Sequence, residues 1–140
     1  MLGGGYTLSA FAQAKPDVLV KQRQAVMTLH GKYFGQLGLM NAGKIPYNAE
    51  VVARNAAFLD ALSQMPWDGF TPDTKGEKSR ALPEIYSNPT GFKAAQDSYR
   101  AAVGKLVAAS KGGGEAAVKA AIADVNNNGC GACHKNFRSQ

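Results

Sequence analysis

Apolar residues recur at helical spacing in four separate stretches of the chain. The first stretch, from about 17 to 40, predicts a helix, because two adjacent rows of one helix face can be followed along it. Pro16 and Asp17 suit its start, since proline is favoured in a first helical turn and an acidic side chain is stabilised there by the helix dipole. The rows are Leu19, Val26, Leu29, Tyr33, Leu37 and Met40, and beside them Val20, Arg23, Met27, His30 and Phe34.

The second helix is expected to follow Asn48, a residue type that caps helix N-termini well, and to end at Pro66. A Gly, Pro, Asp, Thr, Lys and Ser-rich segment, 67–82, then predicts a long connection, with a short helical turn at 83–86. The apolar row of the second helix is Val51, Asn55, Phe58, Leu62 and Met65.

A third helix is predicted from Asn88 to about Ser110, where glycines 112–114 require a turn. A fourth starts at Glu115 and continues into the C-terminal motif described below. Its weakest part is 126–129, Asn-Asn-Asn-Gly, which costs about 0.5 to 1 kcal/mol per residue within a helix. Since no alternating β-branched stretch predicts a strand, the pattern indicates an all-α, antiparallel four-helix bundle with one long connection.

The motif is Cys130-Gly131-Ala132-Cys133-His134, the C-x-x-C-H pattern typical of c-type haem attachment. On a helix, residues three and four apart lie on one face. Two thiols can therefore reach the two vinyl groups of one porphyrin while the imidazole reaches its iron. The sequence predicts one covalent haem c near the C-terminus of the bundle.

Three other uses of these cysteines remain open. A structural zinc site needs about four ligands, and the chain has only two Cys and two His, so His30, about a hundred residues away, would have to join. A redox dithiol usually lies near a βαβ pattern, and none is predicted here. A disulfide across two residues of a helix would be strained. The sequence favours haem, because zinc would need a distant ligand, a redox dithiol would need a βαβ pattern, and a disulfide would be strained.

Composition is that of a single globular domain of 140 residues, with 45% hydrophobic and 19% charged residues. The formal charge is +6, but the basic residues are scattered, which argues against nucleic-acid binding. Residues 1–14 carry no charge and end in Ala12-Gln13-Ala14, typical of a signal-peptide remnant before a domain at 15–140. The alternative is an N-terminal arm of small residues.

Export would suit the haem prediction, because c-type haem is attached outside the cytoplasm, and a periplasmic location is expected. No uncharged run reaches the roughly 20 residues of a membrane span. Enzymatic turnover is not expected, since no acid/base pair, nucleophile triad or phosphate loop is present.

A C-terminal haem motif in a four-helix chain of this length resembles class II cytochromes c, the cytochrome c′ family. The resemblance covers nearly the whole chain from Lys15. It rests on the order of several short pieces: Lys15-Pro16-Asp17, Arg23-Gln24, Pro46-Tyr47-Asn48-Ala49, Met65-Pro66-Trp67 with Phe70, Pro83-Glu84-Ile85-Tyr86, and the ending from Cys130 to Arg138.

The resemblance implies that Cys130 and Cys133 form the thioethers and that His134 is the proximal iron ligand. It places Arg23 and Gln24 near a haem propionate, onto which a guanidinium can fork. It also places Trp67 and Phe70 at the haem edge and Arg138 on the proximal side. The alternatives are a solvated surface charge for Arg23 and ordinary core packing for Trp67 and Phe70.

Met27 stands where the resemblance puts the distal residue. A methionine there is similar to the low-spin members of class II, in which it is the sixth ligand of an electron carrier, and a Met/His pair suits electron transfer. The expected function is therefore a periplasmic electron carrier with His134/Met27 ligation and redox partner proteins. The alternative is a five-coordinate cytochrome c′ that binds NO or CO, with Met27 as an apolar distal plug.

Two further assignments stay open at this point. Met27 could be core filler, since methionines at helical spacing usually are, and His30 is a rival iron donor one turn further along. The resemblance also allows a homodimer through the first two helices. The apolar row of Leu19, Val26 and Tyr33 would serve that contact or an ordinary core equally well.

Overall fold

The computed structural model describes residues 14–140, so the predicted leader lies outside the described residues except for Ala14. Within the described part all regular structure is helical, and the predicted four-helix bundle is confirmed. In chain order the elements are α1 (Pro16–Asn41), α2 (Ala49–Leu62), two 3₁₀ helices (Trp67–Gly69 and Pro72–Gly76), α3 (Glu84–Ser87), α4 (Pro89–Ser110), α5 (Gly114–Asp124), a π-helix (Val125–Gly131) and α6 (Ala132–Phe137).

The core lies where α1, α2, α4 and α5 pack together. In α2 the predicted row is partly correct: Asn55 and Leu62 are buried as expected, but Leu59, 1% exposed, is buried in place of Phe58, which is 43% exposed. Phe58 instead packs on the Tyr33 ring, with 4.8 Å between the ring centroids. The innermost residues are Leu37, Val52, Ala56, Val103, Leu106, Val118, Ile122 and Val125.

The helix ends follow the signals in the sequence. Asn48 and Asn88 cap α2 and α4, each accepting a hydrogen bond through its side chain from a backbone N–H of the first turn. Gly112 and Gly114 have φ values of 123° and 80°, which side-chain-bearing residues rarely adopt, and they turn the chain between α4 and α5.

The long connection between α2 and α4 is hydrogen-bonded to the C-terminal segment at Arg80 and Leu82. Leu82 donates its backbone N–H to the Phe137 carbonyl at 3.0 Å, and Ser139 donates to the Arg80 carbonyl at 2.8 Å. Together they form an isolated antiparallel bridge between Ala81 and Arg138. This connection therefore holds the end of α6 against the bundle.

The π-helix includes residues 126–129, the part of the predicted fourth helix that the sequence favours least. Helical structure continues through it, as predicted, but with i→i+5 hydrogen bonding in place of a regular α-helix. In a regular α-helix Cys130 would lie about 140° around the axis from Val125. A π turn brings residues five apart to the same face, and Cys130 accordingly packs on the core cluster that contains Val125.

Candidate functional site

A cavity of about 600 Å³ opens between α1, the long connection, α4 and the C-terminal motif. This volume is within the range of roughly 300–1,000 Å³ that ligand and cofactor pockets usually have. All nine residues singled out from the sequence line it: Arg23, Gln24, Met27, Trp67, Phe70, Cys130, Cys133, His134 and Arg138. Their individual roles stay predictions, but the fold brings them to one place. A second cavity of about 300 Å³, between the end of α1 and the π-helix, shares only Phe34 with the first.

One wall of the cavity carries the two thiols and the imidazole of the motif. Cys130 and Cys133 are both free and half-buried. Burial raises the pKa of the Cys130 thiol, and burial together with the nearby Cys130 raises the pKa of Cys133 to about 11. Both side chains are therefore neutral thiols at pH 7.

Gly129 sets the position of this wall against α4. A Cβ at Gly129 would lie 2.9 Å from Cδ2 of Tyr99 and 3.6 Å from its Cα, which is too close for a side chain. The glycine lets the π-helix approach the Tyr99 ring directly. The residue that follows it, Cys130, is thereby fixed at the cavity surface.

Arg138 and Arg80 lie beside the imidazole of His134. Burial lowers the pKa of His134, and the charges of Arg138 and Arg80 lower it further. Arg80 forks onto the Ser139 carbonyl, donating from Nε at 3.2 Å and from Nη2 at 2.9 Å. The imidazole is thus held in the neutral form that can coordinate a metal.

Arg23 is a buried cation, and not a solvated surface charge, since only 4% of it is exposed. Its Nη1 donates to the Gly69 carbonyl, Thr74 Oγ1 and Tyr86 Oη at 3.3, 3.1 and 3.4 Å. Its guanidinium carbon also lies 4.3 Å above the centre of the Phe70 ring. No salt bridge links Arg23 to an acidic side chain within residues 14–140. A buried cation without an anionic partner suits an anionic group in the cavity.

Trp67 and Phe70 belong to an aromatic cluster at one end of the cavity. Their rings stack with centroids 6.3 Å apart, and the Phe70 ring meets the edge of Phe92 at 5.0 Å. Trp67 also donates its indole N–H to the Ser63 carbonyl at 2.8 Å. Both therefore pack and line the cavity at once, so the two roles considered for them are compatible.

The wall formed by α1 carries Met27 at its centre. The residues of α1 that line the cavity are Arg23, Gln24, Met27, Thr28, His30, Gly31 and Phe34. At 100° per residue, Met27 lies in the middle of the arc that they span. It is half-buried, while Gln24 is exposed. Met27 and His134 thus face one cavity from separate walls.

Two further buried residues line the cavity: His30, which the sequence analysis considered only as a rival iron donor, and Tyr99, which it did not predict as a site residue. His30 lines the cavity, and its Nδ1 bonds the Val26 carbonyl at 2.8 Å, so this nitrogen carries the proton of the neutral ring. Its ring lies 5.6 Å from that of Tyr99, which is 6% exposed. Burial lowers the pKa of His30 and raises that of Tyr99. The spacing of Phe92, Ala95 and Tyr99 along one face of α4 was the available signal.

The donor set and the surroundings fit a covalently held haem. Two neutral thiols and a neutral imidazole lie on one wall, aromatic rings close one end, and a buried guanidinium has no acidic partner among the described residues. By contrast, no three His, Cys, Asp or Glu side chains of residues 14–140 are grouped to hold a metal ion. Within the same range, no helix has the length and apolar character needed to cross a membrane.

Comparison with known proteins gives a consistent result. The family model described as Cytochrome C' matches residues 18–138. The cytochrome c′ of Rubrivivax gelatinosus is 40% identical over 127 residues, which cover 90% of this chain and 98% of that protein. The cytochrome c′ of Alcaligenes xylosoxydans xylosoxydans is 37% identical over 127 residues, covering 91% and 98%.

Solved structures of these relatives share the fold. The crystal structure of the Rubrivivax protein has a TM-score of 0.83, covering 89% of this chain and 98% of that one. A nitric oxide complex of a mutant of the Alcaligenes xylosoxidans protein has a TM-score of 0.82 at 37% identity, with 91% and 98% covered. A carbon monoxide-bound variant of the same protein matches with the same score, identity and coverage.

These comparisons correct the expected function. The prediction of an electron carrier with iron held between His134 and Met27 is wrong. Both relatives described above are cytochromes c′, and solved structures of variants of the Alcaligenes xylosoxidans protein include nitric oxide and carbon monoxide complexes. A permanently bound thioether would occupy the coordination position that such a gas needs. The redox partner proteins expected with the electron carrier stay a prediction.

Proposed function

Because this chain belongs to the cytochrome c′ family, we propose that it is a periplasmic haem protein that binds nitric oxide or carbon monoxide without turnover, with Met27 as a distal plug. The family's cofactor is one covalently bound haem c, whose iron supplies the position at which a diatomic gas binds. Cys130 and Cys133 would hold it through thioethers, and His134 would be its proximal ligand. Arg23 would neutralise a propionate.

The observation that carries this proposal is the position of Met27. It lies at the centre of the α1 wall, while His134 lines the same cavity from another wall. An apolar side chain there restricts the distal space but can rotate away, since methionine has three flexible bonds along its side chain. The Alcaligenes xylosoxidans relative, whose variants have been solved with nitric oxide and with carbon monoxide bound, supports a diatomic gas as the ligand class.

The test is an optical titration of the purified holoprotein with carbon monoxide. We expect a high-spin spectrum in the ferric and ferrous forms and a shift when the gas is added to the ferrous form. Met27→Leu should keep the high-spin spectrum, because a leucine plugs the same space without a donor atom. Met27→Ala should bind the gas faster.

A low-spin wild-type spectrum that Met27→Leu converts to high-spin would overturn the proposal. The matched control is Met65→Leu, because Met65 is exposed and does not line the cavity. Its spectrum and its gas binding should equal those of the wild type.

A homodimer through α1 and α2 is part of the proposal. The exposed apolar residues of these helices include Val18 and Leu29, which share one face of α1, and Phe58 on α2. This surface is not the row considered from the sequence, because Leu19 is buried in the protomer. Large exposed apolar side chains on adjacent helices suit contact with a second copy.

The periplasmic location is supported by the chemistry of haem attachment and by the A-x-A pattern that ends at Ala14. Fractionation of the cells that naturally make this protein should recover the holoprotein from the periplasm with Lys15 as its first residue. Recovery from the cytoplasm with covalent haem would contradict this part of the proposal.

A further inference from the structure

Met27 has four neighbours on its own helix, one turn before and one turn after it. They are Arg23, Gln24, His30 and Gly31. Arg23 is buried and its Nη1 is fixed by three oxygen acceptors, and His30 is 8% exposed and bonded to a backbone carbonyl. Neither the Arg23 nor the His30 side chain can move aside to make room for Met27. Movement of Met27 along the wall is therefore possible only on the side of Gln24 and Gly31.

Gly31 leaves open space at the cavity surface. A Cβ at this position would meet no atom within 4 Å, although the residue lies inside α1 and lines the cavity. Side chains on a helix lean towards its N-terminus and cover the preceding turn. A side chain at position 31 would therefore lie beside Met27, and the glycine keeps that space free.

Glycine is otherwise unfavourable here. It lies well inside a long helix with a negative φ, so its special backbone freedom is not used, and alanine would be the better helix former. The space left by the missing side chain lies one turn from Met27, an apolar side chain with three flexible bonds, and both residues line the cavity.

We propose that Gly31 provides the space into which the Met27 thioether withdraws when a diatomic gas binds, which makes Gly31 a determinant of ligand affinity. The inference rests on the proposed gas-binding function. It implies that the distal plug is movable because of one missing side chain, and that filling the space locks the plug over the distal site.

The test is carbon monoxide association with the ferrous holoprotein, measured by stopped flow for Gly31→Ala and Gly31→Leu. We expect the association rate to fall with side-chain size, by about tenfold for leucine, which is within the range of couplings between residues in contact. The matched control is Gly35→Leu, because Gly35 lies on α1, is exposed and has no atom within 4 Å of its Cβ position, but does not line the cavity. Its rate should equal that of the wild type.

A double-mutant cycle with Met27→Ala identifies the cause. Once the plug is gone, Gly31→Leu should no longer slow association, and the haem content should equal that of the wild type in every variant. If Gly31→Leu slows association equally in both backgrounds, or lowers the haem content, the glycine makes room for haem or for the entering gas and the inference is overturned. An unchanged rate in Gly31→Leu overturns it as well. Failure of the wild type to bind carbon monoxide would instead overturn the proposed function, before any variant is compared.

Discussion

Substitution of Gly129 by alanine tests whether the contact between the π-helix and α4 fixes the haem motif. The new Cβ would lie 2.9 Å from Cδ2 of Tyr99 and 3.6 Å from its Cα, so it meets a rigid ring with the backbone of α4 directly behind it. The ring is buried and cannot swing into solvent. Gly129 does not have a positive φ, so alanine is compatible with the backbone and the effect is steric.

The magnitude follows from two opposing terms. Overpacking in a core costs about 1–3 kcal/mol, whereas Gly→Ala in a helix gains about 0.5–1 kcal/mol. We therefore expect Gly129→Ala to lower the free energy of unfolding by about 1–2 kcal/mol. Gly104→Ala is the control, because Gly104 lies in α4, is exposed and has no atom within 4 Å of its Cβ position. It should gain about 0.5–1 kcal/mol.

The assay is urea unfolding of both holoproteins followed by circular dichroism, together with the yield of covalent haem. The displaced π-helix should move Cys130 and lower that yield for Gly129→Ala only. Tyr99→Leu should rescue part of the loss in the double variant, since the clashing ring is removed. A Gly129→Ala protein as stable as Gly104→Ala, with a full haem content, would refute the reasoning.

Three further predictions concern single side chains. Arg23→Leu should lower the free energy of unfolding by about 2 kcal/mol or more in urea unfolding, because hydrogen bonds from a buried charged group are lost. Lys78→Leu, at an exposed position, should change it by about 0.5 kcal/mol or less, and equal effects would contradict the role of Arg23. Because burial lowers the pKa of His30, the unfolded chain takes up a proton before the folded protein does, so stability should fall as the pH drops below about 6.5, by up to about 1.4 kcal/mol per pH unit. His30→Leu should flatten this decline, and an unchanged pH profile would show that His30 does not cause it. Phe58→Glu should give a monomer in sedimentation equilibrium while Met65→Glu stays dimeric, and two monomers or two dimers would contradict the proposed interface.

The local sequence already contained the parts of the site that depend on spacing within a few residues. Cys130, Cys133 and His134 are three and four apart, which predicts one face of an α-helix, and all three line the cavity although Cys130 belongs to the π-helix. The caps at Asn48 and Asn88 and the turn at 112–114 are likewise local, and the structure has them where the sequence indicates. The bundle follows because four amphipathic helices of this length can bury their apolar rows only against each other.

Long-range packing decided the rest. That Arg23 is a buried cation depends on oxygens 46 to 63 residues away, which no pattern within α1 reveals. In α2, Leu59 is buried in place of the predicted Phe58, whose ring packs against the ring of Tyr33 on α1. The π-helix Val125–Gly131 replaces a regular helix where Gly129 packs against the Tyr99 ring.

The sequence by itself determined the helices, their caps and the chemical groups that a haem requires, because each of these is set by residues within one or two turns. Only the tertiary structure decided which of those groups share a cavity, which are buried, and how much room each has to move. Met27 is the clearest case: its residue type allows a ligand, a plug or core filler. Its position at the centre of the α1 wall, beside the open space at Gly31, depends on helices that meet only when the chain is folded.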